Sequence, residues 1–240
     1  MGKSSVDKDR KARVEQMRRQ QEAAEKRRTM LVMGAALTVV LILVGLVVFA
    51  IVDFRRDNPE LAAGSVAEVG VEASAASCDD VIAEPAEGVN AHVGPGTNNP
   101  VERVEYPSAP PAFGEHFPQP QYPAAEFYTA EDRPPVESLV HNLEHGYTVV
   151  WYDEALPTEQ QEQLRRIAEL AREMDETQGK FIVTAWDAGY GEFPEGKPVA
   201  ISHWGAEEGY RQYCGAVSGE AIQQFVEDYP STDSPEPNAA

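Results

Sequence analysis

The chain has 240 residues, with 20 lysines and arginines against 40 aspartates and glutamates, and its formal net charge is −20. The charge is uneven, because the first 29 residues carry ten basic and five acidic side chains. Residues 30–240 therefore carry a net charge of −25. An acidic surface repels phosphate backbones, so nucleic acid is excluded as a partner of this part of the chain.

Residues 30–52 form a stretch of 23 residues without a charged side chain. At about 1.5 Å per residue, a helix of this length spans a ~30 Å hydrocarbon core, which predicts a transmembrane helix. A cleaved signal peptide fits less well, since its apolar region covers only ~7–15 residues. Residues 1–29 are predicted to form a cytoplasmic basic helix beside anionic lipid headgroups. We therefore expect the lipid bilayer as a partner, with one span in the cell membrane and everything after it extracytoplasmic.

The exported part divides by composition and by its cysteines. Residues 53–77 are small and acidic, which is typical of a flexible linker. Residues 78–230 are predicted to form one extracytoplasmic domain, and residues 231–240 a disordered tail. The two cysteines of the chain, Cys78 and Cys214, favour one disulfide in an oxidising compartment. Copper ligation by these cysteines is the alternative, but they lack a Cys-x-x-Cys spacing.

The apolar patterns predict an α+β fold with a small mixed sheet, two or three helices and a long proline-rich loop. Nine prolines lie between residues 100 and 135, which excludes long helices and central strands there. The pattern predicts strands at 147–152, 181–186 and 198–204, and helices at 135–145, from 158 towards Gly179, and from 218 to 229. Gly146 is suited to end the first helix. The strand, helix, strand order then predicts a parallel crossover.

Four of the five histidines form the predicted metal site, namely His92, His116, His141 and His145. The last two are one turn apart if their segment is helical, and they then share a face of the helix. Neutral imidazole nitrogens are common ligands of zinc and copper. The sequence therefore predicts a Zn or Cu ion held by clustered histidines. The open alternative is that the histidines stabilise a loop-rich fold by hydrogen bonds alone.

Three other side chains are predicted to complete or orient the ligand shell: Glu144, Glu115 and Tyr147. A closed set of four ligands is typical of a structural or carrier site, whereas three ligands and an open position permit catalysis. We expect a non-catalytic site. The segment His141–His145 does match H-x-x-E-H, the inverted zinc-protease motif. That motif requires a long helix, and Gly146 is expected to end this one at once, so a zinc hydrolase is the least favoured hypothesis.

A metal-independent interaction domain is the rival class of function, for example an accessory subunit of a membrane protein complex. Its support is the layout of one span, a flexible linker and an aromatic, proline-rich loop. The aromatic side chains concerned are Tyr106, Phe113, Phe117, Tyr122, Phe127 and Tyr128. They can equally cover the core. A bound metal is compatible with this function, because it can stabilise an interaction surface.

Three motifs together resemble a known family. They are residues 90–93 (Asn-Ala-His-Val), 106–117 (from Tyr-Pro-Ser to Glu-His-Phe) and 140–146 (Val-His-Asn-Leu-Glu-His-Gly). Over roughly residues 78–228, the chain resembles the actinobacterial, membrane-anchored family catalogued as domain of unknown function 3105. The family has no settled activity. The resemblance therefore implies a domain over this range and a role for its four clustered histidines, without naming a reaction.

Overall fold

The structure is a computed structural model that describes residues 3–57, 63–86 and 90–239. Contacts between residues divide the chain into two compact units, Met1–Asn58 and Pro59–Ala240. The second unit contains the sheet, the disulfide and every residue of the predicted metal site.

The first unit contains a single long helix, α1, which spans Lys3–Asp57. Apolar side chains within the predicted membrane stretch are exposed, among them Leu41 and Phe49. Across the part of the chain that the structure describes, no helix has both the length and the apolar character needed to cross a membrane. The span predicted at 30–52 is therefore not supported by the structure and stays a prediction.

The second unit is an α+β domain, as predicted, and its described residues form one mixed sheet of six strands. The strands are β1 (Ile82–Pro85), β2 (Phe127–Tyr128), β3 (Thr148–Tyr152), β4 (Phe181–Ala185), β5 (Val199–Trp204) and β6 (Glu208–Cys214). The helices after α1 are α2 (Val136–Glu144), α3 (Thr158–Ala171) and α4 (Gly219–Asp228), with short 3-10 turns at Val66–Glu68, Ala73–Ala75 and Ala188–Tyr190.

The strand order is β1-β6-β5-β3-β4-β2, which places β3 near the centre of the sheet. β4 pairs in parallel with β3 and with β2, and the other pairs are antiparallel. The unit β3–α3–β4 is thus the parallel crossover that the sequence predicted. In the register, Val150 lies beside Val183 on one side and Ile201 on the other.

Alternate side chains of β3 enter two apolar cores on opposite faces of the sheet, as strand geometry requires. Val150 and Tyr152 pack into the core that also contains side chains of α3 and α4. Val149 and Trp151 pack into the core that contains side chains of α2. The α2 face is the one that carries the predicted metal site.

Helix ends follow the sequence signals in one case and depart from them in another. α2 ends at Glu144, and Gly146 has a φ of +89°, as predicted for a glycine that follows a helix. α3 ends at Ala171, well before Gly179. The reason is that the Thr177 hydroxyl donates to the carbonyl of Ala171 at 2.7 Å, which satisfies this helix end without a further turn.

The domain extends further at both ends than its composition predicted. Val66 and Val69, within the predicted linker 53–77, are 2% and 1% exposed in the α3–α4 core. Ser231, in the predicted disordered tail, is 3% exposed. A few apolar contacts and backbone hydrogen bonds are enough to order these polar segments, for example the one from Ser231 N to the carbonyl of Glu176 at 2.8 Å. The structured domain therefore includes residues 63–77 and 231–239.

Cys78 and Cys214 form the predicted disulfide, with a sequence separation of 136 residues. These are the only two cysteines of the chain. Both sulfurs are therefore committed to the bond, which excludes the alternative that they ligate copper as thiolates.

The proline-rich loop (residues 100–135) is irregular up to β2, as predicted. Glu137 of α2, which is 1% exposed, binds this loop by accepting a hydrogen bond from Val104 N at 2.8 Å. The same carboxylate accepts a hydrogen bond from the Tyr190 hydroxyl at 2.9 Å. Of the six aromatic side chains named above, only Tyr122 is exposed, at 70%, and the others are buried or partly buried. Most of these rings therefore cover the core rather than form a docking surface.

Candidate metal centre

Helix α2 carries two of the candidate ligands. Its residues are buried along the whole helix, because the sheet covers one side and the proline-rich loop the other. Leu139 and Leu143 pack in the apolar core. His141 and Glu144 are three residues apart and so lie close together on the helix surface. They project towards the loop, where Nδ1 of His141 lies 2.7 Å from the carbonyl oxygen of Phe117.

His92 and His116 are brought together by an isolated parallel β-bridge. Val93 N donates to the carbonyl of His116 at 2.8 Å, and His116 N donates to the carbonyl of Ala91 at 3.2 Å. The two ring centroids are 4.9 Å apart. The ring of His92 also stacks on that of His141, again at 4.9 Å. The β-bridge therefore places His92 and His116 next to His141 on α2.

Four side chains offer one ligand atom each at a common point, and these atoms all lie within 4.8 Å of one another: His92, His116, His141 and Glu144. His92 is exposed and the other three are buried. In a tetrahedral zinc site, bonds of ~2.0–2.1 Å place neighbouring ligand atoms about 3.4 Å apart. A modest contraction of this cluster would therefore enclose a single ion.

Backbone carbonyls fix the tautomers of two of these histidines. Nδ1 of His116 lies 2.8 Å from the Gly114 oxygen, and Nδ1 of His141 lies 2.7 Å from the Phe117 oxygen. A carbonyl oxygen can only accept, so in each ring Nδ1 carries the hydrogen and donates it. Each neutral ring then keeps its lone pair on Nε2. A metal-binding histidine is oriented in this way, by donating its other N–H to a carbonyl.

Nε2 of His116 is buried without a hydrogen-bond partner. Oε2 of Glu144 lies 3.1 Å away, within ion-pair distance but without the geometry of a hydrogen bond. The two side chains are 0% and 2% exposed. A neutral His116 and an ionised Glu144 turn lone pairs towards each other, and an unpaired buried polar atom costs about 1–3 kcal/mol. A cation bound to both atoms would remove this cost.

The charges of the cluster favour the protonation states that bind metals. Burial, together with the neighbouring histidines, lowers the pKa of His141 to about 4. Burial raises the pKa of Glu144, but the histidines around it, His116 first, outweigh this effect when they are protonated and leave the pKa below its usual value. Near neutral pH, His141 is therefore neutral and Glu144 is ionised. These are the forms in which imidazole and carboxylate act as ligands.

Trp204 forms the apolar wall behind the cluster. Its ring lies edge-on to that of His116, with centroids 5.7 Å apart, and it is 1% exposed. An apolar wall keeps water away from one side of a metal site, which strengthens the electrostatic interactions inside it.

His145 lies one turn after His141, as predicted, but it belongs to a different group of candidate ligands. Its Nε2 is 3.0 Å from Nε2 of His141, in a hydrogen bond that His145 donates, because Nδ1 of His141 already donates to the Phe117 carbonyl. It shares a second group with Glu144 and Glu236, whose ligand atoms also lie within 4.8 Å of one another. The four predicted histidines are thus divided, with three in one group, one in the other, and Glu144 in both.

The remaining predicted residues lie elsewhere. Glu115 is exposed and is in neither of the two groups found among the described residues. Tyr147 packs in the apolar core on the α2 face, and burial raises the pKa of its hydroxyl. The fifth histidine, His203, is fully buried, and its Nε2 lies 2.7 Å from the carbonyl oxygen of Asp233. This contact gives His203 a structural role at the end of the domain.

The arrangement differs from that of an inverted zinc protease. α2 ends at Glu144, before His145. In that motif both histidines bind one zinc ion and the glutamate activates water beside it. Here Glu144 lies among the candidate ligands with His141, and His145 falls in the other group. The geometry does not support the hydrolase hypothesis.

Glu236 was missed from the sequence because it lies in a short segment rich in serine and proline, a composition typical of disorder. In the structure, Glu236 N donates to the carbonyl of Glu144 at 3.0 Å. This hydrogen bond brings the Glu236 carboxylate beside His145. No spacing within the chain indicates such a contact, since its partner is more than ninety residues away.

Neither the comparison with curated proteins nor the comparison with solved structures gives a significant match. The profile of a family described as "Protein of unknown function (DUF3105)" matches residues 98–240, more than half of the chain. The match includes His116, α2 and Glu236, and it begins after His92. The chain therefore belongs to this family of proteins of unknown function, DUF3105.

Proposed function

We propose that the domain binds a divalent transition-metal ion, zinc or copper, through His92, His116, His141 and Glu144. The observation that carries this proposal is the unpaired, buried Nε2 of His116 next to the Glu144 carboxylate. A metal ion accepts lone pairs from both atoms at once. The proposal also follows the ligand chemistry, because imidazole nitrogens suit Zn(II) and Cu(II).

Hydrogen bonding alone accounts for the cluster less well. In a purely structural cluster, each buried ring nitrogen would have a donor or acceptor opposite it. The carbonyls of Gly114 and Phe117 take the N–H groups of His116 and His141. Nε2 of His116 is then left facing Glu144, which only accepts when it is ionised. A doubly protonated His116 would resolve this by donating to Glu144 across 3.1 Å, but it would place a positive charge on a side chain that is 0% exposed.

The ligand set favours a carrier or structural site over a catalytic one. Three nitrogens and one carboxylate form a closed set of four, which is typical of sites without an open position. His92 is exposed while the other three ligands are buried. This exposed ligand supports a carrier role, because it gives an ion a route in and out.

We also propose that residues 30–52 anchor this domain to the cell membrane, with the domain on the extracytoplasmic side. The proposal rests on the uncharged run of 23 residues and on the basic residues that precede it. The Cys78–Cys214 disulfide supports the location, because such bonds persist in oxidising compartments. Protease added to intact cells should remove the domain and leave residues 1–29 protected. Protection of the domain until the membrane is opened would contradict this orientation.

The metal proposal is tested by the metal content of the full-length chain, purified in detergent and measured by plasma mass spectrometry. We expect at least one zinc or copper ion per chain in the parent. Glu144→Gln should lose the metal, since an amide binds it weakly and carries no charge. The matched control is Glu115→Gln, which makes the same chemical change at an exposed side chain next to His116, and it should keep the metal.

X-ray absorption would then identify the ligands. For zinc we expect a shell of nitrogen and oxygen at ~2.0–2.1 Å, without sulfur. A folded parent that is purified without metal, and that takes up neither added Zn(II) nor added Cu(II), would overturn the proposal. The histidines would then be structural members of a metal-independent domain.

A further inference from the structure

A second group of candidate ligands adjoins the first and lies where residues 231–239, here called the closing segment, cross the end of α2. Two contacts hold the segment there. Glu236 N donates to the carbonyl of Glu144 at 3.0 Å. The ammonium of Lys180 donates to the carbonyl of His145 at 2.8 Å and to those of Pro237 and Ala239 at 2.8 and 3.0 Å.

The backbone of Gly146 shows how closely the closing segment approaches. A Cβ atom at this position would collide with the carbonyl oxygen of Ser231 and come within 2.9 Å of the Ser234 hydroxyl. His203 adds a further attachment through the Asp233 carbonyl at 2.7 Å. The segment is therefore held at several points, and the position of Glu236 is set by the fold.

These contacts gather three ligand side chains. One ligand atom each from Glu144, His145 and Glu236 lies within 4.8 Å of the other two. Nε2 of His145 is 3.6 Å from a carboxylate oxygen of Glu236. Glu144 and His145 are buried, at 2% and 7% exposure, whereas Glu236 is exposed. This point therefore offers two carboxylates and one imidazole to a cation.

We propose that Glu144 bridges two metal ions, one held with His92, His116 and His141 and the other held with His145 and Glu236. This inference rests on the proposed function, because the first ion is the one described above. A carboxylate has two oxygens and can bind an ion through each of them. Glu144 is the one residue of the described chain that belongs to both groups.

The spacing of the two groups suits a two-metal centre. Nε2 of His141, in the first group, lies 3.0 Å from Nε2 of His145, in the second. This contact is a hydrogen bond in the metal-free chain, and binding of both ions would replace it, because each nitrogen would then direct its lone pair to its own ion. Two-metal sites of this kind hold their ions ~3.5–4 Å apart. Each ion would then neutralise the negative charge of its carboxylate ligands.

The second ion has a chemical character of its own. Its protein ligands are two carboxylates and one imidazole, a set richer in oxygen than the first group. Such ligands suit zinc and also harder divalent ions such as manganese. Three protein ligands leave a position for water or for a small anion, and Glu236 puts this side of the centre at the surface.

The experiment counts zinc ions per full-length chain after loading in excess zinc and removal of the unbound metal. The parent should hold two ions and Glu236→Gln one, because the amide replaces a charged ligand of the second ion only. Glu192→Gln is the control, since this residue is exposed in an irregular segment and is in neither ligand group, and it should keep two. X-ray absorption of the parent should show a metal–metal vector at ~3.5–4 Å.

Each outcome decides between the two proposals. One ion in the parent, retained in Glu236→Gln and without a metal–metal vector, would overturn the bridged centre and leave the single-metal function intact. Two ions retained in Glu236→Gln would overturn the assignment of Glu236. No bound ion in the parent would overturn both. Should Glu236→Gln fail to fold, the ion count and the metal–metal vector of the parent still decide.

Discussion

Replacement of His141 by glutamine should remove part of the pH dependence of stability of the metal-free protein. Burial and the neighbouring histidines hold the pKa of His141 at about 4 in the folded chain, against ~6.5 in an unfolded chain. Glutamine does not titrate, but its amide can still donate to the Phe117 carbonyl, which lies 2.7 Å from Nδ1 of His141. The difference between the two proteins therefore reports the titration of this ring together with its coupling to the neighbouring histidines.

The sign and the size follow from the two pKa values. Above pH ~6.5 the ring is neutral in both states, so it adds no pH dependence. As the pH falls towards 4, the unfolded chain takes up a proton that the folded chain does not, and the free energy of unfolding decreases. From about pH 7.5 to about pH 4.5, this loss has an upper limit of about 2.5 kcal/mol. Water that reaches the ring reduces it, so we expect roughly 1–2.5 kcal/mol.

The assay is urea unfolding of both full-length proteins in the presence of a chelator, at several pH values across this window. Near-ultraviolet circular dichroism reports on the compact domain, because none of the three tryptophans lies in α1. The parent should lose roughly 1–2.5 kcal/mol more than the variant between the two pH limits. An equal loss in both proteins would refute the reasoning, since it would mean that His141 titrates normally in the folded state.

Loss of the disulfide in a Cys78→Ser/Cys214→Ser variant should lower the free energy of unfolding by about 4–5 kcal/mol, because it releases a loop with a separation of 136 residues. Urea unfolding of the unreduced proteins measures this, and a loss below ~1 kcal/mol would contradict it. Gly146→Ala should lower the melting temperature more than Gly179→Ala does. Both glycines have a positive φ, +89° at Gly146 and +82° at Gly179, so the backbone strain is similar. Only a Cβ at Gly146 would collide with the carbonyl oxygen of Ser231. Equal melting temperatures of the two variants would argue against this contact. Zinc at 100 times its Kd should stabilise the domain by ~2.7 kcal/mol, or about 5–10 °C in calorimetry, and a chelator should reverse the shift. The absence of any shift would count against a site formed in the folded state.

The central part of the fold could be predicted because its signals are local. The β-branched and aromatic run of β3, Gly146 after α2 and the strand, helix, strand order each predicted what the structure contains. The outer strands could not be predicted in this way. β1 is largely exposed and β2 has only two residues, and such strands form by pairing with a neighbour rather than by their own propensity. β6 alternates between partly exposed and buried residues, but its sequence has no matching apolar period, because Arg211 is buried and Tyr210 is only partly buried.

The histidines of the candidate site could be predicted from the sequence, but their division between two ligand groups could not. The spacing of His141, Glu144 and His145 follows from helical geometry. Which of them share an ion depends on contacts between distant parts of the chain, namely the bridge between His92 and His116 and the approach of the closing segment. Such contacts have no period in the sequence, and the polar composition of the closing segment suggested disorder instead. Glu144 was accordingly predicted only to complete or orient the ligand shell, although it belongs to both ligand groups.

The edge-on contact between Trp204 and His116 gives the protein an optical reporter of its own. The indole lies 5.7 Å from a candidate ligand ring, close enough for a bound ion to affect its excited state. Copper(II) has an unpaired d electron and quenches the emission of a nearby indole, whereas zinc(II) has a filled d shell and does not. The intrinsic fluorescence of the unlabelled chain can therefore distinguish the two candidate metals in a single titration.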